Sequence, residues 1–213
     1  MIGVEQRKFQ TRVIILKNKI QQPKFIFKVI LTIFLIVVGL PFILYLIIYT
    51  GYSQKLINST DQIRDEISTG VLISDSNKDN IKTLTDSVKE AFQKRKISLI
   101  YIYLLGDSQS LSDDSIKALL DKVPSDEIKI DRTTESPYEV CDSAKNVYNL
   151  SKFVTLSFKD IAIRASYICN NLGMFTQSYS PKINEKSLNV TESSFKDYLN
   201  DINKTLLGVS FKF

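Results

Sequence analysis

A long apolar stretch near the N-terminus constrains this chain more than any other feature. From Phe27 to Thr50 it reads FKVILTIFLIVVGLPFILYLIIYT, with Lys28 as its one charged residue. No polar face recurs at helical spacing, which argues against a buried helix of a soluble domain. At ~1.5 Å per residue, the roughly 21 residues from Val29 to Tyr49 would span a bilayer core of about 30 Å. The run is also longer than that of a cleavable signal peptide. We therefore expect an uncleaved transmembrane helix over residues 29–50.

Two helix-perturbing residues, Gly39 and Pro41, lie in the middle of this stretch. Pro41 lacks a backbone N–H and can kink a helix, which helices surrounded by lipid often tolerate. Alternatively, Gly39 allows another helix to approach closely, and it is then a helix-contact residue.

Positive charge is concentrated before the apolar stretch. The N-terminal tail, residues 1–28, carries seven basic side chains and one acidic side chain, a net charge of about +6 against +5 for the whole chain. The remainder is therefore near neutral, and we expect no nucleic-acid partner. The positive-inside rule predicts a cytosolic N-terminus and a C-terminal domain on the non-cytosolic side, in a periplasm, a lumen or the cell exterior. The basic residues that would set this orientation are Arg7, Lys8, Arg12, Lys17, Lys19, Lys24 and Lys28.

The basic tail has three interpretations. It sets topology and contacts anionic membrane lipid, it docks a cytosolic partner, or it is a mitochondrial presequence, which is basic and poor in acidic residues.

Two features after residue 50 favour a non-cytosolic location. Cys141 and Cys169 are the only cysteines, and an even number in a non-reducing compartment predicts one disulfide, although two unrelated buried thiols are the alternative. Four Asn-x-Ser/Thr sequons also occur, where about two are expected by chance. The candidate glycosylation sites are Asn58, Asn149, Asn189 and Asn203.

The sequence predicts an α+β fold class with four parts. These are a basic cytosolic tail (1–28), a single N-terminal transmembrane helix (29–50), a helical stalk (51–95) and a small mixed α/β outer domain (96–213). In the stalk, Leu56, Ile63 and Ile67 form a narrow seam for a neighbouring helix. A second stalk helix carries Ile81, Leu84, Val88 and Phe92 on one face.

Hydrophobic patterning gives the elements of the outer domain. We expect strands at 97–105 and 127–131 and helices at 113–122 and 136–150. Residues 153–158 and 161–167 alternate like strands, although 159–171 also fits a helix. A loop over 171–183, a helix starting at 191 and a terminal strand, GVSFKF, complete the prediction.

The residue inventory excludes most catalytic sites. The chain has no histidine, which removes Ser-His-Asp and Cys-His catalysis and the usual zinc sites. It also lacks the G-x-G-x-x-G, G-x-x-x-x-G-K-[ST] and G-x-S-x-G motifs. Asp75-x-Asn77-x-Asp79 resembles the start of a calcium loop, but Asn80 replaces its glycine. We expect no catalytic residue, no metal site and no cofactor.

Topology and these exclusions together predict a non-catalytic single-pass membrane subunit. It would anchor and link parts of a multi-protein membrane assembly of the secretion, pilus, conjugation or motility type, with membrane lipid and other membrane proteins as its partners. One alternative is an accessory subunit of an organellar energy-transducing membrane complex. Another is a ligand-binding or adhesive ectodomain, whose pocket would be lined by aromatic residues such as Tyr101, Tyr103 and Tyr167.

Overall fold

The structure is a computed structural model that describes residues 23–74, 78–105 and 112–181, together with Asn200 and Lys204. The chain divides into two compact units, residues 1–46 and 47–213. Several sequence predictions lie outside the described residues. These concern Arg7, Lys8, Arg12, Lys17 and Lys19, the sequons at Asn189 and Asn203, the start of the last helix at 191, and the terminal strand.

The apolar stretch folds into three successive helical segments. Helix α1 covers Pro23–Phe34, a π-helical turn covers Leu35–Gly39, and helix α2 covers Leu40–Ser53. In the π-helical turn the Leu40 N–H donates to the Leu35 carbonyl, one residue further back than in an α-helix. Pro41, which follows at once, has no N–H to donate, so the regular α-helical ladder cannot run through this point.

No helix among the described residues is long and apolar enough to cross a membrane. The prediction of a single transmembrane helix over residues 29–50 is therefore wrong. The physical reason for this error is that the π-helical turn divides the apolar stretch. Helix α1 has 12 residues and α2 has 14, whereas a membrane span needs about 20.

The second unit contains a five-stranded sheet in which every strand is parallel to its neighbours. The strand order is β3-β2-β1-β4-β5, and helices connect the strands throughout. The elements in chain order are β1 (Thr69–Ser74), α3 (Lys78–Gln93), β2 (Leu99–Leu104), α4 (Asp113–Leu119), β3 (Ile128–Asp131), α5 (Pro137–Asn146), β4 (Lys152–Leu156), α6 (Lys159–Asn171) and β5 (Phe175–Tyr179).

Helices cover both faces of this sheet. On one face, α3 and α4 bury side chains such as Leu84 and Ile116 against Leu72 and Ile102. On the other face, α5 and α6 bury Val140 and Ile168 against the alternate side chains of β1 and β2. A parallel sheet buried on both sides reads as nearly continuous apolar runs, which explains sequences such as LIYIYL in β2. The order and layering are those of a doubly wound α/β fold.

The predicted helical stalk over residues 51–95 is wrong. This region contains β1, the central strand, and α3 is the crossover from β1 to β2. Ile63 and Ile67, predicted to contact another helix, are buried in the core of the sheet domain. The segment before β1 runs along β5 instead, where the Ile57 N–H donates to the Ser178 carbonyl at 2.9 Å. The fold is therefore α/β with a fully parallel sheet that starts at residue 69, not an α+β domain that starts at 96.

Of the two alternatives for residues 159–171, the structure has the helix, α6, and not a strand over 161–167. The prediction of a loop over 171–183 is wrong, because this segment contains β5. Helix α6 is buried over most of its circumference, including Ala162, Ile163 and Ala165, so its apolar residues show no clean helical period. The strands predicted at 97–105, 127–131 and 153–158 and the helices predicted from 113 and 136 are present with shifted ends.

We predict that Gly70→Ala destabilises the protein by about 1–3 kcal/mol, the usual cost of overpacking a core. An added Cβ would lie 2.8 Å from Ile100 Cδ1 and 3.2 Å from Leu156 Cδ1, because β1 is packed between β2 and β4. Gly51→Ala is the matched control, since nothing lies within 4 Å of its Cβ position. Urea unfolding of both variants measures the difference. Equal stability of the two variants would contradict the central placement of β1.

Candidate ligand-binding site at the carboxyl edge of the sheet

The topology determines where a ligand site is expected. In doubly wound folds, ligands bind outside the carboxyl ends of the strands, at the point where the strand order reverses. Here that point lies between β1 and β4, which end at Ser74 and Leu156. Ser157 follows β4, and its hydroxyl donates to the Ile73 carbonyl at 2.6 Å. The Ser74 hydroxyl is buried and has no hydrogen-bond partner among the described residues.

A second group of polar side chains lies at the ends of β2 and β3. We call Tyr101, Tyr103, Asp131, Ser143 and Tyr148 the tyrosine–aspartate cluster. Tyr103 and Asp131 are register partners on adjacent strands. The Ser143 hydroxyl of α5 donates to Asp131 Oδ2 at 3.3 Å. The rings of Tyr101 and Tyr148 are 4.6 Å apart between centroids.

Tyr103 is the most unusual member of the cluster. It is fully buried, at 0% exposure, and its hydroxyl makes no hydrogen bond of normal geometry in the described part of the chain, although the Ser143 hydroxyl is close enough to lower its pKa. Burial is the largest effect and raises the pKa of Tyr103, and the Asp131 carboxylate raises it further. The pKa of Tyr148 is raised by the same two causes in the same order. Both phenols are therefore neutral at physiological pH and retain their protons as hydrogen-bond donors.

The turn after β3 holds Asp131 in place. Its Oδ1 accepts hydrogen bonds from the Thr133 backbone N–H at 2.8 Å and from the Thr133 hydroxyl at 2.6 Å. Arg132 donates through Nε and Nη2 to Asp113 Oδ1, at 2.9 and 2.7 Å, which ties the turn to the start of α4. Thr134, which follows Thr133, is buried, and its hydroxyl has no partner among the described residues.

Side chains of the first turn of α5 cap this helix and occupy the backbone N–H groups of Glu135 and Glu139. The Glu139 N–H donates to the Ser136 hydroxyl at 3.4 Å, and the Glu135 N–H donates to Glu139 Oε2 at 2.7 Å. Pro137 at the first turn has no N–H to satisfy.

A buried hydroxyl network on the same face is structural. Thr155 of β4, Ser178 of β5 and Ser166 of α6 are linked by hydrogen bonds through the Ser178 hydroxyl. Because each hydroxyl has a partner, this network attaches α6 to the sheet and leaves no unsatisfied group for a ligand.

The predicted disulfide is present. Cys141 of α5 and Cys169 of α6 are joined with a Cα–Cα distance of 5.2 Å, and both are fully buried. The bond fastens together the two helices on the face that carries the tyrosine–aspartate cluster. Within the described residues, no group of three or more His, Cys, Asp or Glu side chains is arranged to hold a metal ion.

The other predicted residues do not converge on one site. Asn58 and Asn149 are exposed, as glycosylation would require, and Asn149 has a positive φ of 53°. Gly39 lies in the π-helical turn, Leu56 is half-buried, and Lys24 and Lys28 lie in α1. Tyr167, expected to line a pocket with Tyr101 and Tyr103, instead packs edge-on against Tyr52, 5.9 Å between ring centroids.

Sequence reasoning missed Asp131, Ser143 and Tyr148 as site residues. A signal for Asp131 existed, because it ends the predicted strand EIKID, and polar residues at carboxyl ends of parallel strands mark ligand sites. Using that signal requires knowing that β3 lies beside β2. No pattern in the sequence reveals that strand order.

Comparison with known proteins adds no functional assignment: no family model, no curated protein and no solved structure matches this chain. The strand order is shared with dinucleotide-binding folds, but the chain has no G-x-G-x-x-G after β1 to receive a pyrophosphate. Function therefore has to be argued from the side chains of this site.

Two buried tyrosines allow a direct test of the unpartnered hydroxyl. We predict that Tyr103→Phe stabilises the protein by about 1 kcal/mol, because it removes a buried hydroxyl that has no hydrogen bond. Tyr179→Phe, the matched control, should destabilise it by a similar amount, since its hydroxyl lies 3.2 Å from the Ser87 hydroxyl. Thermal and urea unfolding report both effects. A loss of stability in Tyr103→Phe equal to that in Tyr179→Phe would contradict the prediction.

Proposed function

We propose that the α/β domain is a non-catalytic binding domain that holds a small polar ligand at the carboxyl edge of its sheet. The observation that carries this proposal is the position of three buried hydroxyls that make no hydrogen bond of normal geometry among the described residues, those of Ser74, Tyr103 and Thr134. Ser74 ends β1, Tyr103 is the last residue but one of β2, and Thr134 lies three residues after the end of β3. This is the edge at which folds of this topology bind ligands.

Buried hydroxyls without partners lower the stability of the folded domain. Leaving a buried donor or acceptor without a partner costs about 1–3 kcal/mol, and native proteins leave few of them. A protein can keep such unpartnered groups when a bound ligand supplies their hydrogen-bond partners. A ligand at this edge would supply the missing partners, and desolvation would favour its hydrogen bonds over those to water.

The three hydroxyls do not share one face of the sheet. Ser74 follows the alternation of Leu72, which faces α3 and α4, whereas Tyr103 faces α5. A ligand that contacts both must therefore lie across the edge of the sheet and not beneath either helical layer. In this class of fold, the carboxyl edge has a crevice between the ends of β1 and β4, because the connections from these two strands run in opposite directions. Such a position lies in that crevice.

The disulfide supports a non-cytosolic location for this domain. Disulfides persist in oxidising compartments and are rare in the cytosol. We therefore propose a ligand-binding domain in a periplasm, a lumen or the cell exterior.

A second function, that of a non-catalytic subunit of a membrane assembly, is favoured by the apolar N-terminal region. Fifteen large apolar side chains between Ile26 and Ile47 are exposed. Exposed apolar surface of this extent marks a binding surface. We propose that apolar helices of other membrane proteins cover it, with membrane lipid around them. Linking such an assembly to a ligand-binding domain would combine the two functions in one chain.

Ligand binding is tested with the full chain in mild detergent against three classes of small molecule. These classes are amines, anions (carboxylates and phosphates) and neutral sugars. We predict that one class raises the unfolding temperature and slows amide exchange in residues 69–74, 99–105 and 131–134. Thr134→Val should abolish the effect, and Thr176→Val should not. Both lose a buried unpartnered hydroxyl, but Thr176 lies near the amino end of β5. No response to any class, or an equal loss in both variants, would refute the proposal.

The assembly function is tested at Gly39. An added Cβ at this position lies 3.8 Å from Leu35 Cδ2, which is an ordinary van der Waals contact, and the neighbouring side chains of Leu35, Ile36 and Leu40 are exposed. Thermal unfolding of Gly39→Leu checks that the variant folds. We predict that Gly39→Leu disrupts stoichiometric co-migration with partner membrane proteins on native gels, whereas Gly51→Ala does not. Unaltered partner composition in Gly39→Leu, or a monodisperse wild-type monomer, would argue against helix contact at this point.

A further inference from the structure

The end of α2 and the start of α6 together form a surface of tyrosines and lysines within the second unit. We call Tyr49, Tyr52, Lys55 and Lys159 the tyrosine–lysine surface. We propose that this surface binds the headgroups of anionic phospholipids. The inference rests on the proposed membrane function of the apolar N-terminal region. It adds the class of lipid and a lipid contact that belongs to the α/β domain.

The tyrosine–lysine surface begins where the exposed apolar side chains of α2 end. These side chains continue to Ile47, which is exposed, and the next residue, Ile48, is buried. Helix α2 then contacts the sheet domain, because the Tyr52 ring packs edge-on against Tyr167 of α6. In membrane proteins, tyrosines beside an apolar segment lie at the level of the lipid headgroups, since their rings are apolar and their hydroxyls are polar.

Two exposed lysines extend over the tyrosine rings of α2. The Lys159 Nζ lies 5.4 Å from the centroid of the Tyr49 ring, and the Lys55 Nζ lies 5.0 Å from that of the Tyr52 ring. Tyr49 and Tyr52 are three residues apart in one helix, so they share a face of α2. Both ammonium groups therefore lie beside the same helix face, and both lysine side chains are accessible to solvent.

The charge of these two lysines is not neutralised by carboxylates. None of the described acidic side chains forms an ion pair with Lys55 or Lys159. Residues 47–57 contain no acidic residue. The next carboxylates along the chain, Asp61 and Asp65, pair instead with two lysines that follow α3. A ring contact leaves the N–H groups of an ammonium free to donate to an anion.

The start of α6 is also net positive. Its first two turns, residues 159–166, contain Asp160 as the one acidic residue and two basic residues, Lys159 and Arg164. The N-terminus of a helix carries a partial positive charge, which disfavours a lysine there unless an anion is close. The residue before the helix, Phe158, supplies no side-chain acceptor to offset this charge. An anion beside Lys159 is therefore favoured by the helix and by the lysine together.

A phospholipid fits this surface better than a free anion does. It presents a phosphate together with acyl chains, and the surface presents unpaired lysines together with the exposed apolar side chains of α2. Lysine can lay its alkyl stem along apolar surface while its ammonium contacts the headgroup. Burial raises the pKa of Tyr52, so its phenol keeps the proton that it can donate to a phosphate oxygen. A headgroup with a net negative charge is favoured because a choline would repel the lysines.

Lipid binding here would also orient the α/β domain. Lys159 lies three residues after β4, at the carboxyl edge of the sheet. A headgroup bound to Lys159 would hold this end of the edge next to the membrane surface. The crevice between β1 and β4, where we propose the ligand site, borders the same end.

The test is an NMR titration of the full chain in phosphatidylcholine nanodiscs that contain an increasing share of phosphatidylglycerol. The lysines carry 13C-methyl groups, which keep the positive charge. We expect the signals of Lys55 and Lys159 to shift saturably with the share of phosphatidylglycerol. Lys152, which is exposed at the amino end of β4, should not shift. Inorganic phosphate at equal ionic strength should produce no saturable shift.

Substitutions of the lysines complete the test. Lys55→Gln and Lys159→Gln assign the two signals, because each variant lacks one of them. Each should weaken phosphatidylglycerol binding at the remaining lysine about fivefold, the effect of one positive charge near an anionic lipid surface. Lys152→Gln is the matched control and should leave this binding unchanged. All three side chains are exposed, so thermal unfolding should be the same in the three variants.

Several results would overturn the inference. A shift of Lys152 equal to those of Lys55 and Lys159 would indicate a general attraction of the domain to anionic lipid. An equal response to inorganic phosphate would indicate a site for free anions. If the chain enters the nanodiscs and neither signal shifts, the lipid site is absent while the proposed membrane function stands. If the full chain does not enter the nanodiscs, the membrane function fails and the inference fails with it.

Discussion

The insertion of β1 between β2 and β4 is the constraint on which the rest of the structure depends. Gly70 marks how tight the fit is, because an added Cβ would lie 2.8 Å from Ile100 Cδ1 and 3.2 Å from Leu156 Cδ1, so these side chains would have to shift. With β1 central, both faces of the sheet must be covered, and α3 with α4 and α5 with α6 provide the two layers. Because all five strands are parallel, their carboxyl ends lie at one edge of the sheet, and the strand order reverses beside β1.

That edge combines rigid support with unsatisfied chemistry. Asp131 is held by the Thr133 turn and by Ser143 of α5, and α5 is fastened to α6 by the Cys141–Cys169 disulfide. The neighbouring Tyr103 hydroxyl makes no hydrogen bond of normal geometry among the described residues. A site whose surroundings are fixed while its own polar groups lack partners is suited to binding a ligand with little rearrangement. The disulfide thus supports the site at a distance, through the packing of two helices.

The sequence predicts many local elements and little of their arrangement. Strand β2 and the start of α5 are recognisable, since LIYIYL is a short apolar run and Ser136-Pro137 caps a helix. Strand β1 was missed because six residues between helix-like segments give no distinct period. Ile63 and Ile67 have helical spacing, yet they belong to an irregular segment whose burial depends on tertiary packing. The continuous helix over 29–50 failed at the π-helical turn, which hydropathy does not report.

The sequence does not reveal the order of the strands, and this also explains why most of the site was not predicted. Tyr101 and Tyr103 were identified by aromatic content. Asp131 joins them only through the pairing of β2 with β3, and Tyr148 joins them only because α5 packs on this face of the sheet. Residue-resolved amide hydrogen exchange of the full chain tests whether β1 is the central strand. If β1 lies between β2 and β4, residues 69–74, 99–104 and 152–156 exchange with one free energy, equal to that of global unfolding. Exchange of residues 69–74 together with α3, at a lower free energy than β2, would contradict it and indicate a separate stalk.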